Sequence, residues 1–336
     1  MSYDGKLLAR ARAGYESDKE KYEAAFRRRR QEIYERLPRV REIDAQLRTT
    51  APQLIALALR RGEDPAAQIE DLRRENLALQ QERAAILTAA HLPPDTLTQR
   101  PRCAACGDTG YTEDGQMCDC LRQYYVREQN RELSKLLNIG AQSFDTFEMD
   151  YYSKAVWPEY GMSPFDNMDL IRETCWRYAR SFGKGSGSLL LTGTPGLGKT
   201  FLSACIAREV SQNGFSVVYD TATHIVGQFE TDKFRRGGEG EIEEAAADVR
   251  RYLECDLLII DDLGTELVTP FVQDALYQLI NSRIVTERAT ICNSNLDETA
   301  IRKRYSPQIA SRLCGEYRML RFFGEDIRKI KQRRGL

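Results

Sequence analysis

The stretch Gly193-Thr194-Pro195-Gly196-Leu197-Gly198-Lys199-Thr200, directly after the apolar run Leu189-Leu190-Leu191, limits what this chain can fold into more than any other feature. The pattern G-x-x-x-x-G-K-[ST] lets a glycine-rich backbone curl around phosphate groups, with several N–H groups and the N-terminus of the following helix facing the anion. The flanks suit that use. An apolar strand precedes the loop, and Phe201-Leu202-Ser203-Ala204-Cys205-Ile206-Ala207 reads as a helix after it. Gly193, Thr194, Pro195, Gly196, Leu197, Gly198, Lys199, Thr200 and Phe201 are therefore expected to hold a nucleoside triphosphate. Lys199 would neutralise the outer phosphates, and the Thr200 hydroxyl would face Mg2+.

Around this loop, short apolar runs at Leu189–Leu191, Ser216–Tyr219, Leu257–Ile260 and Ala289–Cys292 alternate with helical patterns, including a charged region up to Leu253 and a helix around Val272–Ile284. Such alternation predicts an α/β fold with a parallel sheet flanked by helices, its ligand at the carboxyl ends of the strands. Leu257-Leu258-Ile259-Ile260 runs into Asp261-Asp262, as a buried strand does when its tip reaches a metal. Asp261 is expected to hold Mg2+ through its water shell, with the Thr200 hydroxyl on the ion, and Asp262 to orient or deprotonate the attacking water. Acids also end strands as helix caps, but the upstream phosphate loop favours the metal reading. The strand Thr290-Ile291-Cys292 leads to Asn293-Ser294-Asn295, where Asn295 is the amide expected at the γ-phosphate, with Asn293 as the alternative. Two arginines stand in later helical contexts, Arg312 and Arg328, although in a chain with 49 Lys plus Arg spacing alone does not single them out.

Cys103-x-x-Cys106 and Cys118-x-Cys120 form two close thiol pairs, separated by a segment with Gly107, Gly110 and Gly115. Paired thiols on turns suit tetrahedral Zn2+ in an all-cysteine site, whereas a redox C-x-x-C would want a strand–helix setting and disulfides a more oxidising compartment. The other five of the nine cysteines are scattered in apolar or mixed segments, as small buried hydrophobes are. His91 and His224, the two histidines, are not at ligand spacing.

The first 90 residues are rich in Arg, Glu, Ala, Leu and Gln. Ile33, Leu37, Val40 and Leu47 fall on one stripe, and Leu72, Leu79 and Ile86 fall seven apart. Thr50-Ala51-Pro52 and Asp64-Pro65 read as helix starts, with Gly62 as a stop. Two long helices joined by a short one, folded back as a hairpin or coiled coil, are expected, and a stripe this narrow suits a partner-binding module. Residues 91–102 read as a polar linker, 121–139 as a helix, and 174–180 as the helix entering the nucleotide domain. The expected organisation is a helical module over 1–90, linker and zinc knuckle over 91–125, a connecting helix and linker over 126–165, and an ATPase domain over 166–336.

A formal net charge of −1 excludes a globally basic nucleic-acid coat, so DNA contact would need a local patch. Arg27–Arg30, Lys233-Phe234-Arg235-Arg236 and the C-terminal Arg328, Lys329, Lys331, Arg333 and Arg334 are such patches. The middle one, which pairs Phe234 with cations, is the strongest candidate for single-stranded DNA. With no long apolar run and no signal-peptide pattern, the chain is expected in the cytoplasm, away from membranes.

The order Gly193-to-Thr200, Asp261-Asp262-Leu263-Gly264-Thr265-Glu266, Ser294-Asn295-Leu296, Ser311-Arg312-Leu313 and Gly324-x-Asp326-x-Arg328 resembles the DnaC/DnaI-type replicative helicase loaders, and more distantly the IstB-type transposition helpers. The resemblance spans roughly residues 140 to 330, and Cys103-x-x-Cys106-Gly107-Asp108-Thr109-Gly110-Tyr111 with its C-x-C partner is also similar to the knuckle of DnaI-like loaders, which the IstB pattern lacks. It implies an AAA+ ATPase, with Asn295 as sensor 1, Arg312 as an arginine finger acting on a neighbour's ATP and Arg328 as the sensor 2 arginine. It further implies a hexameric helicase and single-stranded DNA as partners, and self-association through the ATPase domain on ATP binding. The second acid of the strand, usually Glu in AAA+ proteins, is Asp262 here. Being one methylene shorter, it predicts slow hydrolysis, and the resemblance implies that a partner stimulates it. A nucleotide-gated adaptor that scarcely hydrolyses remains the reading from another class.

Overall fold

The computed structural model describes residues 3–58, 66–137, 142–235 and 237–335. They fall into two compact units, Ala13–Cys118 and a second made of Met1–Arg12 with Asp119–Leu336. The expected organisation put the whole N-terminus in the helical module. The structure instead counts the first dozen residues with the second unit, where Asp4 pairs with Arg251 at 2.8 Å and Arg10 with Glu132 at 3.2 Å.

The chain opens with α1 (Gly5–Arg36), α2 (Pro38–Ala58) and α3 (Ala66–Ala89). Pro38 starts α2, where its missing N–H and fixed φ cost nothing. In the helical unit α2 packs on α3, and Ile33, Val40, Leu87 and Leu97 form a small core with Leu37 and Ile86 against it. Two expectations need correction. The middle helix is 21 residues long rather than short, and Pro52 lies inside it rather than at a new start. Thr50 does not cap there: its Oγ1 donates to Asn76 Oδ1 at 2.8 Å, across to α3. Proline's φ is compatible with a helix, so the cost is one missing hydrogen bond and local crowding. Gly62 and Asp64-Pro65 lie outside the described residues. The expected linker is not wholly polar, because Leu97 is buried in this core.

The second unit continues with α4 (Asp119–Leu136), a 3-10 turn (Met149–Tyr151), α5 (Pro164–Arg180), β1 (Ser188–Thr192), α6 (Lys199–Gln212), β2 (Val217–Thr221), α7 (Ala222–Phe234), α8 (Glu239–Glu254), β3 (Leu257–Leu263), α9 (Pro270–Val285), β4 (Ala289–Ser294), α10 (Glu298–Arg304), α11 (Pro307–Gly315), β5 (Tyr317–Arg321) and α12 (Ile327–Arg334). Helix α5 begins ten residues before the expected position: Ser163 caps it, accepting from Asp166 N at 3.0 Å, and Pro164 follows. The five strands run parallel in the order β2-β3-β4-β1-β5, as the alternating pattern predicts.

Side chains of each central strand alternate between two cores. Leu189, Leu191, Leu257, Ile259 and Ile291 face one side with residues of α5 and α6, and Leu190, Leu258, Ile260 and Cys292 face the other with α7, α9 and α11. Burial on both faces explains why these strands read as unbroken apolar runs. Edge strand β2 is closed by α4: Gln129 accepts from Val217 N at 3.1 Å and donates to Phe215 O at 2.8 Å. At the end of the sheet away from the phosphate loop, Arg283 is fully buried. It donates to Tyr252 O at 2.6 Å, Cys255 O at 3.0 Å, Ala289 O at 2.6 Å and Thr290 Oγ1 at 2.9 Å. Carbonyls at the C-terminus of α8 thus take the place of a carboxylate partner.

Candidate active site and four-cysteine cluster

The phosphate loop leaves β1 at Thr192 and enters α6 at Lys199. Its glycines are required by geometry: Gly193 and Gly196 have φ of 142° and 80°. A Cβ on Gly196 would lie 1.9 Å from Asp326 Oδ1, and one on Gly193 would lie 2.2 Å from Phe322 O. The same closeness ties the loop to α12. Ile327 N donates to Gly196 O at 3.0 Å, and the Asp326 carboxylate caps α12 through Arg328 N at 2.9 Å. This tie brings Arg328 to the wall of the pocket above the loop.

Lys199 folds back over the loop. Its Nζ donates to Gly193 O at 2.5 Å, Thr194 O at 2.9 Å and Asn295 Oδ1 at 2.8 Å. Burial pushes its pKa down to about 8 against the pull of Asp261 and Asp262. Asp261, at the tip of β3, is buried and accepts four hydrogen bonds: from Thr200 Oγ1 at 3.1 Å, Tyr219 OH at 2.5 Å, Asn293 Nδ2 at 3.0 Å and Asp262 N at 3.0 Å. A hydroxyl and a carboxylate side by side are the hard oxygen donors that Mg2+ and its water shell take, so the Thr200–Asp261 pair fits that ion. Asn293 and Asn295 separate cleanly. Asn293 is buried between Ser203 Oγ, at 2.9 Å, and Asp261, whereas Asn295 lines the pocket beside Lys199.

Asp262 has a left-handed backbone, φ 53°, where the β3–β4 register shifts. Such a bulge re-aims the side chain, and Asp262 joins the pocket wall with Thr265, which closes the turn by donating to Asp262 O. Burial, then the charge of Asp261, raises the Asp262 carboxyl above the usual range. Lys199, Thr200, Asp261, Asp262, Asn295 and Arg328 thus share one cavity of about 840 Å³, within the size range of nucleotide and ligand sites.

Arg312 is not brought there. On α11, its Nε donates to Asn281 Oδ1 at 2.7 Å, and its guanidinium sits 5.2 Å from the centre of the Tyr277 ring. Sequence reasoning missed Tyr219 and the aromatic wall of Phe147, Tyr151 and Tyr152. Tyr152 OH donates to Leu197 O at 3.0 Å, and Phe147 meets Phe201 edge-on at 5.4 Å. No spacing rule ties these aromatic residues to a loop fifty positions on.

In the cysteine segment the four sulfurs of Cys103, Cys106, Cys118 and Cys120 lie within 4.8 Å of one another. The Cys103–Cys118 separation is 3.7 Å, against about 3.8 Å between thiolates on tetrahedral zinc at 2.3 Å bonds. The turn that gathers them is held by Asp108, whose carboxylate accepts from Cys103 N at 2.8 Å and Arg102 N at 2.9 Å, and by Cys118 N donating to Gly110 O at 2.9 Å. The residues therefore fit the ion.

Of the basic patches, Lys233 pairs with Asp274 at 3.2 Å and lies over the Phe271 ring, while Phe234 is half exposed at the end of α7; Arg236 lies outside the described residues. Arg27 and Arg28 pair with Glu23 and Glu32 along α1. Among the described residues no helix is long and apolar enough to cross a membrane.

The family of IstB-like ATP binding proteins matches residues 176–304. The replicative helicase loader DnaC of Escherichia coli K12 is 31% identical over 124 residues, covering 36% of this chain and 49% of DnaC. The DnaC-type resemblance holds. DnaC of Buchnera aphidicola subsp. Baizongia pistaciae is 26% identical over 153 residues, 45% of this chain and 61% of its own. The crystal structure of the DnaC helicase loader superposes with a TM-score of 0.43 at 17% identity, covering 55% of this chain and 99% of that one. The chain spans about half the length of the first curated relatives it matches. The IstB-like match lies within the second unit, whose parallel sheet with flanking helices is the expected α/β architecture.

Proposed function

We propose that this chain is an AAA+ ATPase that loads a hexameric replicative DNA helicase onto single-stranded DNA. The observation that carries the reading is the convergence of Lys199, Thr200, Asp261, Asp262, Asn295 and Arg328 on one pocket, in a domain similar to proteins named replicative helicase loaders.

In this reading ATP is the substrate, and Mg2+, when bound, supplies charge neutralisation between its outer phosphates. Thr200 would hold the metal directly and Asp261 through its water shell, with Tyr219 and Asn293 fixing the carboxylate so that its placement costs no reorganisation. Lys199 exchanges its bonds to Gly193 and Thr194 for the phosphates. Asp262, with its raised pKa, takes a proton from the attacking water, and its short side chain keeps turnover slow. Asn295 serves as sensor 1 on the γ-phosphate, and Arg328 approaches from the start of α12 as sensor 2. Arg312, held by Asn281 and Tyr277 away from its own pocket, acts on the ATP of an adjacent copy, so hydrolysis requires self-association. The helical region grips the helicase, Zn2+ on the four cysteines orders the segment between, and the end of α7 near Phe234 meets single-stranded DNA.

ATP turnover measured alone, with the hexameric replicative helicase of the same cell, and with single-stranded DNA tests this. Stimulation by the helicase, and its deposition on circular single-stranded DNA, are expected. Stimulation by duplex DNA with no helicase binding would favour the second reading, a transposition helper, which the IstB-like match supports.

A further inference from the structure

Asp262 owes its direction to a turn that is unfavourable by itself. Asp262 has φ of 53° and Gly264 φ of 109°, and a left-handed non-glycine backbone persists only where the surroundings over-determine it. Part of that hold is local. Thr265 donates to Asp262 O through its N–H at 3.1 Å and through its hydroxyl at 2.8 Å. From the end of β4, Ser294 Oγ donates to Leu263 O at 2.6 Å. A Cβ on Gly264 would stand 2.7 Å from Leu296 Cδ1, so the turn is pressed against the chain leaving β4.

The rest of the hold comes from Glu266. It is 3% exposed and is not among the residues lining the nucleotide cavity. Its Oε2 accepts from Gly264 N at 2.8 Å, and its Oε1 accepts from Tyr305 OH. Arg304 serves the same residue twice: its Nε stands 3.8 Å from Oε1, and its Nη2 donates to the Glu266 carbonyl. Burying a carboxylate costs free energy unless it is paired and hydrogen-bonded, so these partners work as a set. Arg304 ends α10, the helix that starts just beyond Asn295, and Tyr305 is its C-cap. One carboxylate thus ties the turn that aims Asp262 to the far end of the element that follows Asn295.

We propose that Glu266 is a positioning residue for ATP hydrolysis: it fixes the turn from Asp262 to Glu266 against the end of α10 and so points the Asp262 carboxylate at the attacking water. This rests on the reading of Asp262 as the base and adds what holds that base in place. A group moved by about 1 Å from its productive position can lose about a hundredfold in rate. ATP binding is set elsewhere, since Lys199, Thr200 and Asp261 are held by Gly193, Thr194, Asn295, Tyr219 and Asn293. Glu266 should therefore act on turnover and leave affinity alone.

Hydrolysis of saturating Mg2+–ATP by the full chain, with affinity and the number of binding sites measured by calorimetry, tests it. Glu266→Ala is expected to lower turnover about ten- to a hundredfold and to keep affinity and site number within about twofold. Glu266→Gln can still accept from Gly264 N and can donate to Tyr305 OH, so its turnover should stay within about threefold of wild type. Tyr305→Phe, which removes one donor, should cost about fivefold. The decisive arm is the combination with Asp262→Ala. In that background neither Glu266→Ala nor Tyr305→Phe should slow hydrolysis by more than about twofold, because a residue that acts through Asp262 has nothing left to aim. A further loss as large as in the wild-type background overturns the proposal, as does full turnover in Glu266→Ala or a Gln variant no better than Ala. Should Glu266→Ala fail to fold, the Tyr305→Phe pair decides by the same criterion. Full turnover in Asp262→Ala alone is a different failure, since it removes the base itself.

Discussion

Two glycine-rich turns in this chain gather charged groups, and they are built in opposite ways. The phosphate loop sits between a buried strand and a helix with nine buried residues, Lys199 and Ile206 among them. The cysteine segment has little core of its own: Met117, Cys118 and Gly110 are its buried residues. Positive φ occurs in both, but for different reasons. A side chain on Gly196 would strike Asp326, while one on Gly115 would meet open space. In the loop the surrounding fold dictates the turn, and the anion enters a finished cradle. In the cysteine segment the ion itself would supply most of the order. The first is a site made by a fold, the second a fold made by a site.

That contrast is breakable. The largest expected effect is on the cysteines: Cys118→Ser takes zinc, measured by atomic emission, from about one per chain to near zero. Ordered signals from the 103–120 segment should vanish while ATP affinity stays within about twofold; a parallel loss of ATP binding would show that the two regions are not separate. Next is chemistry in the loop's cavity. Asp262→Ala should lower ATP turnover by about a hundredfold or more and leave ATP binding and zinc content intact; unchanged turnover would remove Asp262 as the base. Smallest is a titration. The Lys199 pKa is pushed down to about 8 in the ligand-free site, and phosphates favour its charged form. ATP affinity should therefore be full below pH 8 and fall as pH rises through 8, about tenfold between pH 7 and pH 9. Lys199→Arg should flatten that slope, because guanidinium does not titrate there.

The same contrast explains what could be read in advance. Residues 189–200 and 257–262 are legible because a buried parallel strand ending in a functional tip leaves an unbroken apolar run. Strand β5 was not expected: Tyr317-Arg318-Met319-Leu320-Arg321 is an edge strand buried only at Tyr317 and Leu320, without a clean period of two, and its arginines disguise it. Pro52 misled because a helix start and a tolerated interior proline look alike until the partner of Thr50 is known. Tyr219 could not be chosen because its place at the site arises from what the topology puts beside it. The tip of β2 meets the tip of β3, and no spacing in the chain records that. Which of Asn293 and Asn295 lines the pocket was not legible from spacing two apart; the structure buries Asn293 and leaves Asn295 in the wall.

One amide side chain has a wider effect than its size suggests. By occupying both Val217 N and Phe215 O, Gln129 takes the first backbone rung that any incoming strand would need at the β2 margin. A strand from a second copy would find that rung taken, so a contact at that margin would have to start from side-chain surfaces, and a contact of that kind can come apart again.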